Sequence, residues 1–264
     1  MGGNKRKICS ISEISFSELK HLAEDGDAIA QNKLAIRYKN GKGVRKNLKL
    51  AAEWFAKSAE QGNLAAQFNI GACYYMGRGV KKDYFKAVEW YSIAAERGDS
   101  WSQNDLANCY LDGLGVEQNY DKAIDLFLKS ANQGYSIAQY NLGRCFQVGN
   151  GVEKDSIKAV EWYKKSAQQG EPWAQHNLAI CYEKGEGVRR NYRSAIKWYT
   201  KAAEQGAVLS QFNLAACYEE GQGVEKDIRK AIYWYNEAAK QGSRSALKKL
   251  EILRKKREDD ECPF

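Results

Sequence analysis

Apolar residues fall on two alternating helical stripes along this chain. Between Asn63 and Gly98 the first stripe is Ala66, Ile70, Gly71, Cys73 and Tyr74. Their spacing of i, i+4, i+5, i+7 and i+8 is one face of a helix. The second stripe is Ala87, Trp90, Tyr91, Ala94 and Ala95, again at helical spacing. Gly77 lies just past the first stripe, where a positive φ ends a helix cheaply. Val80 is the apolar plug of the turn, Asp83 stands where an N-cap belongs, and Gly98 closes the segment. The segment predicts a helical hairpin, a helix A followed by a helix B.

That hairpin is written six times. Gly62, Gly98, Gly134, Gly170, Gly206 and Gly242 are 36 residues apart, with no insertion or deletion. Gly-x-Gly turns keep the same beat at Gly41/Gly43, Gly77/Gly79, Gly113/Gly115, Gly149/Gly151, Gly185/Gly187 and Gly221/Gly223. The N-cap column reads Asn47, Asp83, Asn119, Asp155, Asn191, Asp227, and every member can accept bonds from free helix N–H groups. Two columns are small, Ala35/Gly71/Ala107/Gly143/Ala179/Ala215 and Ala59/Ala95/Ala131/Ala167/Ala203/Ala239. Two are large, Trp54/Trp90/Leu126/Trp162/Trp198/Trp234 and Phe55/Tyr91/Phe127/Tyr163/Tyr199/Tyr235. Small residues let backbones approach and the aromatic ones fill the wider spaces. Ordering each residue opposes folding by roughly 1–2 kcal/mol, so one hairpin cannot stand alone and neighbours must stack.

The pattern A-x-Q-x-N-L-A-x-C-Y-x-x-G-x-G-V-x-K-D-x-x-K-A-I-x-W-Y-x-K-A-A-E-Q-G resembles the Sel-one-like repeat (SLR) family, a relative of the tetratricopeptide repeat with a longer turn. The resemblance covers Asp27 to Gly242. It implies an all-α fold, a right-handed α/α superhelix (solenoid) of six 36-residue helical hairpins plus capping helices. The implied role is a non-enzymatic adaptor or scaffold. A secreted, cysteine-rich branch of the family has been linked to β-lactam antibiotics, so a β-lactam-binding or hydrolysing protein is the alternative.

The expected organisation is a disordered N-terminus at 1–14 and a capping half-repeat at 15–26, opened by the Ser15-Phe16-Ser17-Glu18 capping box. Six repeats follow at 27–62, 63–98, 99–134, 135–170, 171–206 and 207–242. A closing helix over 243–257 and a frayed tail complete the chain. Glu18 replaces the Trp of its column and Leu247 replaces the Gln of Gln31/Gln67/Gln103/Gln139/Gln175/Gln211, as terminal caps facing solvent would. Gly2, Cys9 and the basic Lys5, Arg6 and Lys7 suggest a lipidated start, but Arg6 stands where the acylation motif wants Ser or Thr. The unbroken period points to one elongated domain.

Seven cysteines occur, five of them in one column: Cys73, Cys109, Cys145, Cys181 and Cys217. Equivalent atoms in stacked hairpins are on the order of 10 Å apart, whereas a disulfide needs Cα atoms within about 7 Å. These five read as buried packing residues in a reducing, cytoplasmic setting. No apolar run is long enough for a membrane span.

Net charge is +8, unevenly placed. Repeat one is +5, with Lys33, Arg37, Lys39, Lys42, Arg45, Lys46, Lys49 and Lys57 against Asp27, Glu53 and Glu60. Repeat three is −4, with Asp99, Asp105, Asp112, Glu117, Asp121 and Asp125 against Lys122 and Lys129. Alternating sign suits a protein or peptide of mixed charge and disfavours a nucleic-acid backbone.

In tetratricopeptide-like superhelices the A helices line the concave side. By that resemblance, a partner would meet the A-helix positions not used in packing, near Ala65, Phe68, Asn69, Ala72, Tyr75 and Met76. These columns vary where packing columns do not. The candidate partner-binding residues are Phe68, Tyr75, Trp101, Asn104, Asn108, Tyr140, Arg144, Trp173, His176 and Phe212. Each has a second reading, packing on adjacent A helices. Asn69, Asn141, Asn177 and Asn213 belong to the repeat pattern and are expected to make structural bonds to a neighbouring helix or turn. No catalytic, cofactor-binding or metal residues are assigned: His21 and His176 have no His or Cys at i+3 or i+4. Ser-x-x-Lys occurs at Ser17, Ser194 and Ser245 without the other β-lactam enzyme motifs.

Overall fold

The computed structural model describes residues 14–261. Gly2, Cys9 and the rest of the N-terminal segment lie outside the described residues, as do 262–264. The described residues form fourteen helices and no strand. In chain order these are α1 (Phe16–Glu24), α2 (Ala28–Asn40), α3 (Leu48–Glu60), α4 (Leu64–Met76), α5 (Tyr84–Glu96), α6 (Ser100–Asp112), α7 (Tyr120–Asn132), α8 (Ser136–Val148), α9 (Ser156–Gln168), α10 (Pro172–Lys184), α11 (Tyr192–Glu204), α12 (Val208–Glu220), α13 (Ile228–Lys240) and α14 (Arg244–Glu261). The even-numbered helices from α2 to α12 are the A helices and the odd-numbered from α3 to α13 the B helices.

By its contacts the chain divides into two compact units, one ending at Ser130 and the other beginning at Ala131. The 36-residue period runs through that boundary. From α1 to α6 in the first unit and from α8 to α14 in the second, each helix packs on the next, so that an A helix meets its own B helix and the B helix the following A helix. Each unit is therefore a stretch of all-α solenoid, closed by α1 in the first and α14 in the second.

Helix ends follow from the residues at them. All six members of the Asn/Asp column accept a bond from the backbone N–H three residues on, at 2.9–3.1 Å. Gly77 ends α4 at φ 68°, its N–H bonded to the Cys73 carbonyl. The second glycine does something else in four of the turns, at Gly79, Gly115, Gly187 and Gly223. Gly79 has φ 79°, and a β-carbon there would run into the Leu48 carbonyl at the start of the preceding B helix. The Gly-x-Gly turn is thus a joint between repeats as well as a bend.

The core is built from the two large and two small columns. Phe55, Tyr91, Phe127, Tyr163, Tyr199 and Tyr235 are fully buried. Gly71 lies so close to Tyr91 that a β-carbon would sit 2.8 Å from its ring. The Gln column supplies the polar counterpart. Gln31, Gln67, Gln103, Gln139, Gln175 and Gln211 are buried, and each Nε2 donates to an alanine carbonyl at the end of the preceding B helix, at 3.1–3.3 Å. Gln61, Gln169, Gln205 and Gln241 then donate to Oε1 of Gln31, Gln139, Gln175 and Gln211. Each such glutamine ties three successive helices, satisfying carbonyls that a helix end leaves open.

Departures from the pattern have local causes. Arg37 replaces the column cysteine in repeat one, and its guanidinium donates to the Ile14 carbonyl at 2.7 Å. Leu247, in the glutamine column, is half exposed. The closing helix extends to Glu261 rather than 257. The Lys, Arg and Glu of that stretch are good helix formers and carry no glycine or proline stop.

Candidate functional site

The A-helix face carries the variable residues, and its chemistry differs between the two units. In the second unit three polar relays cross it. The Tyr163 hydroxyl donates to Gln147 at 2.7 Å and accepts from Asn177 at 3.2 Å. The Tyr199 hydroxyl donates to Glu183 and accepts from Asn213. The Tyr235 hydroxyl donates to Glu219 at 2.7 Å, and Lys249 pairs with that carboxylate at 3.0 Å. Burial, then the hydrogen-bonded carboxylates, pushes the Tyr199 and Tyr235 hydroxyls above their ordinary range. Asn177 and Asn213 thus make the structural bonds expected of their column.

Repeat one breaks this relay. Phe55 stands where repeats two, four, five and six carry tyrosine and has no hydroxyl. Lys39 occupies the column of Gln147, Glu183 and Glu219, so a cation replaces the carboxylates. Its Nζ donates to Asn69 Oδ1 at 3.3 Å and lies 6.0 Å from the Phe55 ring centre. A cleft of 490 Å³ opens here, floored by Phe55, Phe68, Ala72 and Met76 and walled by Lys39, Lys46 and Arg78. None of these three cations has a carboxylate partner among the described residues. Next to it Phe68 meets the edge of Trp101 at 5.3 Å, and Trp101 is 52% exposed. Tyr75 packs edge-on against Tyr84 at 5.2 Å.

The ten sequence candidates separate into three groups. Trp101, Trp173 and Arg144 are exposed. Phe68, Tyr75, Asn108, Tyr140 and Phe212 are half-buried; Phe68, Tyr140 and Phe212 each rest on the buried tyrosine of the following B helix, at 6.1, 6.1 and 5.3 Å. Asn104 and His176 are corrections, since both are buried and unavailable to a partner. Asn104 Nδ2 donates to Asp105 at 2.9 Å, and its carbonyl accepts from Asn108. His176 Nδ1 is 2.8 Å from Ser210 Oγ and its ring lies on Tyr199. Burial lowers its pKa. Lys39, Asn69, Met76 and Arg78 were not among the candidates. The signal was present, because Asn69 and Met76 lie on the expected stripe and Lys39 shares the column of Tyr75, which is also on it.

Two further positions bear on chemistry. Asp105 occupies the Asn column; burial raises its pKa, against bonds from Asn104 and Tyr91 that lower it. The five column cysteines are buried and unpaired. Burial raises every one of these thiols, Cys145 and Cys181 to about 11, Cys109 and Cys217 to about 12. Such thiols are poor nucleophiles. Among the described residues no cluster of His, Cys, Asp and Glu could hold a metal ion, and no helix is long and apolar enough to cross a membrane.

The model of the Sel1 repeat family matches the chain six times, at residues 28–63, 64–99, 102–135, 136–171, 174–206 and 208–243. The chain is similar to a protective antigen of uropathogenic Escherichia coli strains displaying an SLR fold, with 36% identity and a TM-score of 0.82. That match covers 91% of this chain but 51% of the other, so the chain spans about half of that protein. It is also similar to a Sel1 repeat protein from Oxalobacter formigenes, 34% identical with a TM-score of 0.78 over 85% of this chain and 91% of that one. An immunity protein from Pseudomonas aeruginosa, 21% identical, shares the fold with a TM-score of 0.55 over 81% of each chain. No curated protein matches the sequence.

Proposed function

The chain belongs to the Sel1 repeat family, whose proteins are generally non-catalytic scaffolds for protein interaction, and from that membership we propose that it holds a polypeptide partner on its A-helix face. In the family's superhelix this is the concave face. An acidic stretch of the partner sits in the cleft of Lys39, Lys46 and Arg78, and apolar side chains follow onto Phe68, Met76 and Trp101. The observation that carries this reading is the cleft itself, with three cations lacking carboxylate partners around an apolar floor. A half-apolar hollow rimmed by charge and flanked by an exposed Trp is the composition of a binding hot spot. Acidic repeat three lies along the same unit, which favours a partner whose charge changes sign over a phosphate backbone of one sign. Unpaired buried thiols support a reducing, cytoplasmic setting.

The test is selection from a random peptide library on the immobilised full chain, followed by fluorescence-anisotropy titration of the selected peptides. Acidic sequences should be enriched. Lys39→Glu with Arg78→Glu should weaken them at least ten-fold, and Trp101→Ala several-fold, with helicity by circular dichroism unchanged. Raising salt should weaken binding through screening of the rim charges. Enrichment of neutral or basic sequences, or full affinity in the charge-reversed variant, would overturn the proposal.

A further inference from the structure

On the B-helix side of the first unit, one repeat lacks a group that every other repeat supplies to itself. Trp54, Trp90, Trp162, Trp198 and Trp234 share a column in which repeat three has Leu126. Trp198 shows what the indole does: it packs against the core of Tyr163, Ala167, Leu178 and Cys181. The equivalent core in repeat three is Tyr91, Ala95, Leu106 and Cys109, and Leu126 packs there in place of the indole. The consequence is visible in exposure. Ala167 and Leu178 are 1% and 0% exposed, whereas Ala95 and Leu106 are 6% and 5%. A cleft of 250 Å³ opens over them, floored by Ala95, Leu106 and Leu126, walled by Tyr110 and rimmed by Glu96, Lys122 and Lys129.

The rim matches an aromatic ring electrostatically. In repeats one, four and five a lysine three residues after the tryptophan lies over its face: Lys57 at 4.4 Å, Lys165 at 3.9 Å and Lys201 at 4.8 Å; repeats two and six have Ile93 and Glu237 there. Lys129 holds that same position after Leu126, kept in place by Asp125 at 2.7 Å. Lys122 already lies 5.2 Å over the Tyr110 ring that walls the cleft. A cation over a ring face is attracted by the ring quadrupole. The volume also restricts the occupant. Sites for drug-sized ligands run roughly 300–1,000 Å³, and this cleft is smaller, the size for one inserted side chain.

We propose that the Leu126 cleft is a docking slot for a tryptophan side chain of a polypeptide partner, which supplies in trans the indole that repeats one, two, four, five and six supply in cis. This surface is separate from the A-helix cleft and does not rest on its assignment. Tryptophan is the residue most enriched among interface hot spots, and the slot is built to the geometry this chain uses for that group.

Saturation-transfer NMR on the full chain tests the slot, with N-acetyl-tryptophanamide, the blocked tripeptide Ala-Trp-Ala and free indole as probes. Both tryptophan probes should bind saturably, and N-acetyl-leucinamide should not. Leu126→Trp fills the slot from within and should reduce binding at least ten-fold while raising the melting temperature. Lys129→Ala should weaken binding several-fold without changing the fold. No transfer to the tryptophan probes in the wild type, undiminished transfer in Leu126→Trp, or binding of free indole with exclusion of the tripeptide would each overturn the proposal.

Discussion

Replacing Gln175 with alanine tests how neighbouring repeats are joined. Gln175 is 3% exposed; its Nε2 donates to the Ala167 carbonyl at 3.1 Å and its Oε1 accepts from Gln205 at 2.9 Å. Truncation removes both bonds and one buried methylene, Cγ. The Gln205 amide is on an exposed residue and also reaches the Lys201 carbonyl at 3.4 Å, so water can replace its lost partner. The Ala167 carbonyl keeps the Gly170 N–H at 3.1 Å, which puts its penalty near the lower end of the 1–3 kcal/mol for an unmet buried group, about 1 kcal/mol. The methylene adds about 0.8 kcal/mol. The expected loss is therefore about 2 kcal/mol. Gln175→Leu retains the apolar volume and should lose only about 1 kcal/mol. Stacked repeats are stabilised through nearest neighbours, so urea unfolding of Gln175→Ala should shift its midpoint and broaden. Amide exchange should rise first in α9, α10 and α11. A midpoint within error of the wild type, or equal losses in the alanine and leucine variants, would refute the reasoning.

Asp105→Asn should stabilise the protein at neutral pH by about 1 kcal/mol, the size of one removed burial conflict. Burial raises the folded pKa of Asp105, so the folded state holds the proton more tightly than the unfolded one. Its stability is then full below the ordinary carboxylate range and falls as pH rises through the raised value; a variant no more stable than wild type at pH 7 would contradict this. His176 has the opposite sign. Its folded pKa lies below the ordinary 6.5, so stability is complete above that value and declines as pH falls through the window beneath it. His176→Phe, the residue that Phe68 and Phe212 show at this position, should flatten that acid-side decline in thermal melts, and an unchanged slope would count against the assignment.

The repeats were legible because each is specified locally. The N-cap at Asp83, the glycine stop at Gly77 and two apolar stripes define a hairpin without reference to the rest of the chain, and the beat of 36 residues then dictates stacking. The burial of the column cysteines followed from the same beat. What was not legible depends on neighbouring copies. Asn104 and His176 share a column with Phe68, and for His176 it is Ser210 on the next A helix and Tyr199 on its B helix that receive the inward ring. The Gly-x-Gly turn read as simple chain geometry, but Gly79 is fixed by the Leu48 carbonyl of another repeat. The cationic cleft needs two coincident departures, the missing hydroxyl of Phe55 and Lys39 in a column of acceptors. Each alone looks like ordinary drift between copies. Leu126 likewise reads as one conservative exception until the exposure of Ala95 and Leu106 shows what the exchange uncovers.

The central claim, that the A-helix face of the first unit receives an acidic polypeptide, is most directly tested by chemical-shift mapping of the ¹⁵N-labelled full chain with a selected, tryptophan-free acidic peptide. The account predicts that the largest changes cluster at Lys39, Phe68, Asn69, Met76 and Arg78 and on the indole N–H of Trp101, and that they vanish in the Lys39→Glu, Arg78→Glu variant. Changes concentrated on α3, α5 and α7, with the A-helix residues undisturbed, would contradict it.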